Sequence, residues 1–179
     1  ATPAAVPRPL WRRCVSGLLP TCHPCGRQKS GGVGFVWAKS ADFKIIGAIE
    51  GTLANIYIAG ILETSSGPIS VISCYGDCGD SKSSKESIWN IVKWCMAQGR
   101  PFVLIGDQNI DYSEFAIEAN TVTSAIQVLN FGPTCFTSSG ESSIDLAIVS
   151  SGLLYRSRVL AETMHTSFAT HIALRLTLV

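Results

Sequence analysis

Between a helix-closing Gly99 and Pro101 and a group of short polar residues lies Phe102-Val103-Leu104-Ile105, an unbroken apolar run within the stretch RPFVLIGDQNIDY from Arg100 to Tyr112. A short apolar run bounded by Gly and Pro predicts a strand buried on both faces. The chain must therefore supply a covering layer on each side of it. The run stops at Gly106, and Asp107, Asn109 and Asp111 follow in quick succession. Polar acceptors just past the end of a buried strand sit on a rigid frame while facing solvent, a usual place to build a site. The plainer alternative is that Asp107 and Asn109 are turn formers, since Asx side chains bond to their own backbone in loops.

The strand has a partner upstream. Ile69 to Cys74 is a second apolar strand, Tyr75 follows it, and Gly76, Asp77, Cys78, Gly79 and Asp80 form a polar loop at its end. Ser83 and Glu86 read as a capping box before a helix that buries Ile88, Trp89, Val92, Cys95 and Met96 and ends at Gly99. Strand, helix and strand in succession predict a covered sheet, an α/β (α+β) fold rather than an all-β one. Further upstream, Phe43 to Ile49 and Asn55 to Leu62 read as strands, with Gly51 to Ala54 and Thr64 to Pro68 as the turns. Turns this short force antiparallel neighbours, because a parallel return needs a long crossover. Gly31, Gly32 and Gly34 lead into Val33, Phe35, Val36 and Trp37 as a further strand; no Gly-Lys-Ser/Thr closes this stretch, so it is not a P-loop.

A covered sheet needs apolar material, and the composition provides it. Of 179 residues 46% are apolar and 15% charged, the latter against roughly 25% in ordinary soluble domains. One domain with a real core follows. A net charge of +1 gives no long-range steering towards a polyanion and leaves room for a local basic patch. Arg8, Arg12, Arg13, Arg27 and Lys29 concentrate positive charge in residues 1–30, and Pro3, Pro7 and Pro9 make Ala1 to Arg13 an extended or poorly ordered arm. Residues 1–30 thus read as a basic lead-in and 31–179 as the domain. The seven cysteines, Cys14, Cys22, Cys25, Cys74, Cys78, Cys95 and Cys135, are odd in number and irregular in spacing, which points away from a secreted disulfide scaffold and towards a reducing compartment, nuclear or cytoplasmic. Cys14, Cys22, His23 and Cys25 could form a zinc module, but His23 sits awkwardly between the close cysteines and a loop with incidental thiols is the simpler reading. No apolar run reaches the roughly 18 residues of a membrane helix. The start at Ala1 without Met, and without a signal-peptide pattern, reads as a fragment or a processed form.

Beyond the central strand, Tyr112 to Asn130 reads as helical in two pieces, the first with Glu114, Phe115 and Glu118, the second striped by Val122, Ala125, Ile126 and Leu129. Pro133 and Thr134 begin an extended segment with Phe136, and Ser138 to Glu141 is a turn. Ser143 to Val149 is a strand carrying Asp145. A carboxylate in so apolar a segment either has a partner for its charge or sits at the strand's exposed end. The last strand, His171 to Val179, alternates Ile172, Leu174, Leu176 and Leu178 with Ala173, Arg175 and Thr177. Taken alone, His171 at its beginning says nothing.

Taken in order, these pieces resemble the endonuclease/exonuclease/phosphatase superfamily, metal-dependent nucleases and phosphatases. Gly31-Gly32-Val33 resembles the family's glycine-led strand, Ile72 to Gly76 (ISCYG) the strand whose Tyr approaches the scissile phosphate, and Gly106-Asp107-Gln108-Asn109 the signature usually written Gly-Asp-Phe-Asn. Ser143-Ile144-Asp145-Leu146, with Ile148, Val149 and Ser150, resembles the strand bearing the Asp that partners the catalytic His, and the segment closing on His171 resembles the Ser-Asp-His motif. The resemblance implies a four-layered α/β sandwich with mostly antiparallel sheets. It implies phosphodiester hydrolysis with Mg2+ or Mn2+, and catalytic roles for five residues. Asp107 would orient or deprotonate the water, Asn109 hold a phosphate oxygen, Tyr75 donate to the same phosphate, and His171, held by Asp145, supply an imidazole. The implied partner is nucleic acid, through a likeness to retroelement endonucleases, with no membrane and no specific protein partner.

The pattern is also incomplete. The family's metal-binding Glu belongs on an early strand with an Asn upstream, and nothing before Gly31 resembles either; Glu50 and Glu63 are wrongly placed to substitute. Asp107 or Asn109 would then be contributors to a metal site of unknown composition. Thr170 stands where the final His usually has an Asp, and Gln108 replaces the Phe. The chain reads as truncated at the N-terminus or descended from a degraded copy, open to self-association through an exposed sheet edge. The alternatives are a catalytically inert nucleic-acid-binding or remnant domain, and a phosphoester or phosphoinositide phosphatase.

Overall fold

The computed structural model of the chain describes residues 11–15, 33–47, 56–77, 79–164 and 170–179. The expectations for Gly31, Gly32, Glu50, the turn Gly51 to Ala54, Cys78, and the group Cys22, His23 and Cys25 lie outside them. In chain order the elements are β1 (Trp11–Val15), β2 (Gly34–Ala38), β3 (Phe43–Gly47), β4 (Ile56–Leu62), β5 (Ile69–Tyr75), α1 (Ser81–Ala97), β6 (Phe102–Asp107) and α2 (Tyr112–Val122). There follow β7 (Ile126–Leu129), β8 (Cys135–Thr137), β9 (Gly140–Ser142), β10 (Asp145–Ser150), α3 (Ser151–Arg156), β11 (Val159–Met164) and β12 (Ala173–Leu178).

The central sheet runs β3-β4-β5-β6-β10-β7. Strands β3, β4 and β5 are antiparallel neighbours, as expected, and the helical crossover of α1 makes β5 and β6 parallel, with Ser70 opposite Phe102 and Ser73 opposite Ile105. Antiparallel pairing predominates, as expected, because β10 is antiparallel to both β6 and β7. One face of the sheet packs Ile72, Cys74, Leu104, Leu146 and Ile148 against α1 and α2 through Ile88, Ile91, Val92, Cys95, Phe115 and Ala119. The other face packs Ile69, Val103 and Val149 under Leu153 of α3 and the β11–β12 hairpin, by way of Val159, Leu176 and Leu178. Phe102 to Leu104 are accordingly buried, as a strand with two covered faces requires. The central sheet is thus covered by α1 and α2 on one face and by α3 with β11 and β12 on the other, a mixed α/β sheet architecture. A two-stranded antiparallel sheet of β1 and β2 adds Phe35 and Trp37 against Phe43, with ring centroids 4.9 and 5.0 Å apart. Trp11–Val15, within the lead-in, pair with β2 as a strand.

Several local expectations change. Helix α1 starts before the expected capping box: Asp80 is its N-cap, and its Oδ1 accepts from the Lys82 and Ser83 N–H groups at 3.0 and 3.1 Å. An Asp side chain in extended backbone satisfies the helix's orphan donors directly, so Ser83 falls inside the first turn. The second expected helical piece is strand β7. Helix α2 ends with extended Thr123, and Ile126 and Val128 then alternate as buried residues with exposed Gln127 beside β10. Two β-branched residues at period two fit the half-buried edge of a sheet better than a helix face. Helix α3 and strand β11 add to the elements expected from the sequence. No described helix is long and apolar enough to cross a membrane.

Candidate active site at the ends of β5, β6 and β10

Parallel pairing brings the C-terminal ends of β5 and β6 side by side, which puts Tyr75 and Asp107 at one edge of the sheet. Because β10 runs antiparallel to β6, its first residue, Asp145, stands directly opposite Asp107. His171 joins them through an isolated bridge to Cys135, just ahead of β12. Three separate segments thus deliver Asp107, Asp145 and His171 to one point.

The imidazole lies between the two carboxylates. Its Nδ1 is 2.9 Å from Asp145 Oδ2 and its Nε2 3.9 Å from Asp107 Oδ2. A carboxylate in this contact accepts, so Nδ1 carries the hydrogen and Nε2 is the nitrogen presented to Asp107. The Asp145 and Asp107 side chains are 13% and 17% exposed and that of His171 35%, so the imidazole forms the wet side of the group. The charge partner that Asp145 needs in an apolar strand is therefore His171. Burial raises the Asp107 pKa above its ordinary value, helped by the neighbouring Asp145 charge; the Asn109 N–H and His171 act in the opposite direction. One ligand atom each from Asp107, Asp145 and His171 lie within 4.8 Å of one another, a spacing that could hold a cation. Among the described residues no glutamate joins them.

Asn109 and Tyr75 stand differently. The backbone of Asn109 is left-handed at φ 51°, a conformation Asn tolerates better than most residues, and its N–H donates to Asp107 Oδ1 at 3.0 Å. Its side-chain Nδ2 donates to the Gly76 carbonyl at 2.9 Å, so one amide hydrogen ties the β5 loop to the β6 loop. Tyr75 is at the expected strand end and 39% exposed.

Gln108 stands where the resembled signature usually has Phe. Gln108 is completely buried, donates from Nε2 to Cys74 Sγ at 2.7 Å, and leaves Oε1 without a partner. Burial in turn pushes the Cys74 thiol up to about 12, which keeps it protonated and inert. A buried acceptor with no donor costs about 1–3 kcal/mol. Gln108→Met, which keeps the length of the side chain and removes the orphan atom, is expected to raise stability by about 1 kcal/mol after loss of the sulfur contact and of the long Nε2 bond to the Gly106 carbonyl, 3.3 Å. Urea unfolding of the two proteins measures this, and a less stable Met variant would show that Gln108 is satisfied in solution.

No protein-family model and no curated protein sequence matches the chain. Solved structures do match. The endonuclease domain of TRAS1, a telomere-specific non-LTR retrotransposon, superposes with a TM-score of 0.62 at 15% identity, over 94% of this chain and 80% of that one. A mannosyl-6-phosphatase of Bacteroides thetaiotaomicron superposes with a TM-score of 0.61 at 14% identity, over 94% and 77%. An endonuclease/exonuclease/phosphatase family protein from the same organism gives 0.58 at 15% identity, over 90% and 70%. The chain shares its mixed α/β sheet architecture with that superfamily, and at such identities the likeness concerns the fold.

Proposed function

We propose that this chain is a hydrolase of phosphodiesters in nucleic acid, acting at the Asp107, Asp145 and His171 group. The observation that carries this reading is the convergence of an imidazole and two carboxylates, drawn from three distant segments, at the open end of a sheet whose relatives in fold include an endonuclease and a phosphatase. Asp107, made more basic by burial, takes a proton from the attacking water. As the water oxygen bonds to phosphorus the P–O bond to the leaving oxygen breaks, and His171, oriented through Nδ1 by Asp145 and carrying a second proton at Nε2, gives that proton to the leaving oxygen. Asn109, through its remaining amide hydrogen, and Tyr75 donate to phosphate oxygens. The oxygen-rich donor set suits Mg2+ or, with the imidazole, Mn2+, held by Asp107 with Asp145 or His171. When bound, such a cation supplies neutralisation of charge on the phosphate oxygens.

The absence of a glutamate from the group among the described residues favours one alternative, a domain that binds nucleic acid without cleaving it. The test is nicking of supercoiled plasmid by the purified chain in Mg2+ and in Mn2+, with EDTA and with His171→Ala as controls, beside hydrolysis of a sugar phosphate. Cleavage lost with EDTA and with the substitution supports the nuclease reading. Hydrolysis of the sugar phosphate alone moves the substrate to phosphomonoesters. A folded protein that retards DNA in a gel but leaves it intact supports the binding domain.

A further inference from the structure

Thr134 is completely buried and has no part in the chemistry above. Its polar groups nevertheless reach three segments. The N–H donates to the Ser142 carbonyl at 2.9 Å, the carbonyl accepts from the Ile172 N–H at 2.9 Å, and Oγ1 accepts from the Asp145 N–H at 3.1 Å. The last bond follows from the position of Asp145 in the sheet. On the β6 side the ladder continues through Gln108 N–H to the Ile144 carbonyl, and Asp145 faces Asp107 in the next position. Successive backbone groups along a strand point to opposite edges, so the Asp145 N–H points away from β6. On that other edge β7 has already ended, with Leu129 opposite Ala147. The Thr134 hydroxyl stands in for the missing strand.

The same residue holds the other half of the pair. Ile172, bonded to the Thr134 carbonyl, follows His171 directly, and Thr170, on its other side, accepts from the Phe136 N–H at 2.8 Å. Asp145 and His171 are 26 positions apart in sequence and are both secured to one short segment at Thr134.

We propose that Thr134 is the positioning residue of the Asp145–His171 pair, its hydroxyl holding the start of β10 while its backbone holds the segment that carries the imidazole. Its consequence for rate rests on the hydrolase reading; its consequence for geometry does not. Thr134→Val keeps the volume and β-branching but removes the acceptor, leaving the Asp145 N–H buried and unpaired, whereas Thr134→Ser keeps the acceptor.

The experiment uses the whole, metal-free chain. The Nδ1–H of His171 is followed by proton NMR as the low-field imidazole signal absent from His171→Ala, together with hydrogen exchange of the Asp145 amide. In the wild type the signal is present and the amide is protected. The Val variant is expected to lose the signal and to exchange its Asp145 amide at least about tenfold faster, with both restored in the Ser variant. In the hydrolysis assay the Val variant's kcat falls about tenfold or more with KM little changed, and the Ser variant recovers it. A wild type that hydrolyses nothing removes the functional reading, while the two NMR measurements still decide the positioning role. A folded Val variant that keeps the signal and the protection overturns the proposal. If the Val variant does not fold, rapid exchange of the Asp145 amide in the wild type, or loss of the signal in the Ser variant, overturns it instead.

Discussion

Gly106→Ala is expected to destabilise the chain by about 3 kcal/mol or more and to disperse the site with it. Gly106 has φ 152°, a conformation that side chains other than glycine rarely adopt, and a Cβ built there lies 1.9 Å from the Cys74 carbonyl oxygen. That oxygen belongs to the backbone of β5 in the middle of the sheet, so it cannot rotate away as a side chain would. Accommodation requires β5 and β6 to separate just where Asp107 begins its turn. The neighbouring bond from Gly76 N–H to the Asp107 carbonyl, 2.7 Å long, would be lost in the same movement. Urea unfolding gives the loss in stability, and the low-field His171 signal reports the site. A variant within about 1 kcal/mol of wild type would mean that the two strands do not approach this closely in solution.

Asp107→Asn is expected to act in opposite directions on rate and stability. Under the proposed chemistry it removes the base and lowers the hydrolysis rate by about 10²–10⁴-fold. It should also stabilise the metal-free protein at neutral pH. Burial raises the Asp107 pKa in the folded chain above the ordinary 3.8, so the folded state favours the protonated acid. The stability attached to that preference is complete below the unfolded pKa and is lost as the pH rises through the folded one. Above that window the wild type carries a buried charge, while Asn carries none and still accepts from the Asn109 N–H. The melting temperature of the variant should therefore exceed that of the wild type at pH 7, and the gap should close towards pH 3. Melting curves in EDTA across that range measure it. A gap independent of pH would mean that Asp107 is not penalised for its charge, and an unchanged rate would remove it from the reaction. A group kept at a cost to stability is what a working site commonly shows.

Much of this site was already legible along the chain. The run from Phe102 to Ile105 marked a strand with two covered faces, Gly106 marked its end, and the acceptors after it marked a place for chemistry. The stripe from Ile88 to Cys95 marked the covering helix, and the spacing of β3, β4 and β5 left them no pairing but antiparallel. These features are local: periodicity, breakers and turn length act within a few residues, and the physics that sets them is read in the same window. Where local signals conflicted, the surrounding structure decided. Val122 to Leu129 carries apolar residues at helical and at strand spacing alike, and the open edge of β10 beside it selected the strand. Asp80 rather than Ser83 caps α1, its carboxylate accepting from the Lys82 and Ser83 N–H groups.

The site itself belongs to the tertiary structure. Residue types and order raised Asp107, Asp145 and His171 as candidates through a resemblance, but no local pattern places an imidazole 2.9 Å from one carboxylate and 3.9 Å from another. That geometry depends on the antiparallel register of β6 and β10, and on β8 holding the segment before β12. Gln108 and Thr134 show the same division. Each reads as an ordinary polar residue in its own neighbourhood, and each owes its role to atoms far away in the chain, Cys74 for one and Asp145 for the other. The sequence by itself determined which segments would be strands and helices wherever one periodicity prevailed, because burial of apolar faces is a local demand. Only the tertiary structure decided which polar atoms meet, because hydrogen bonding is short-ranged and directional and depends on register that no single segment contains.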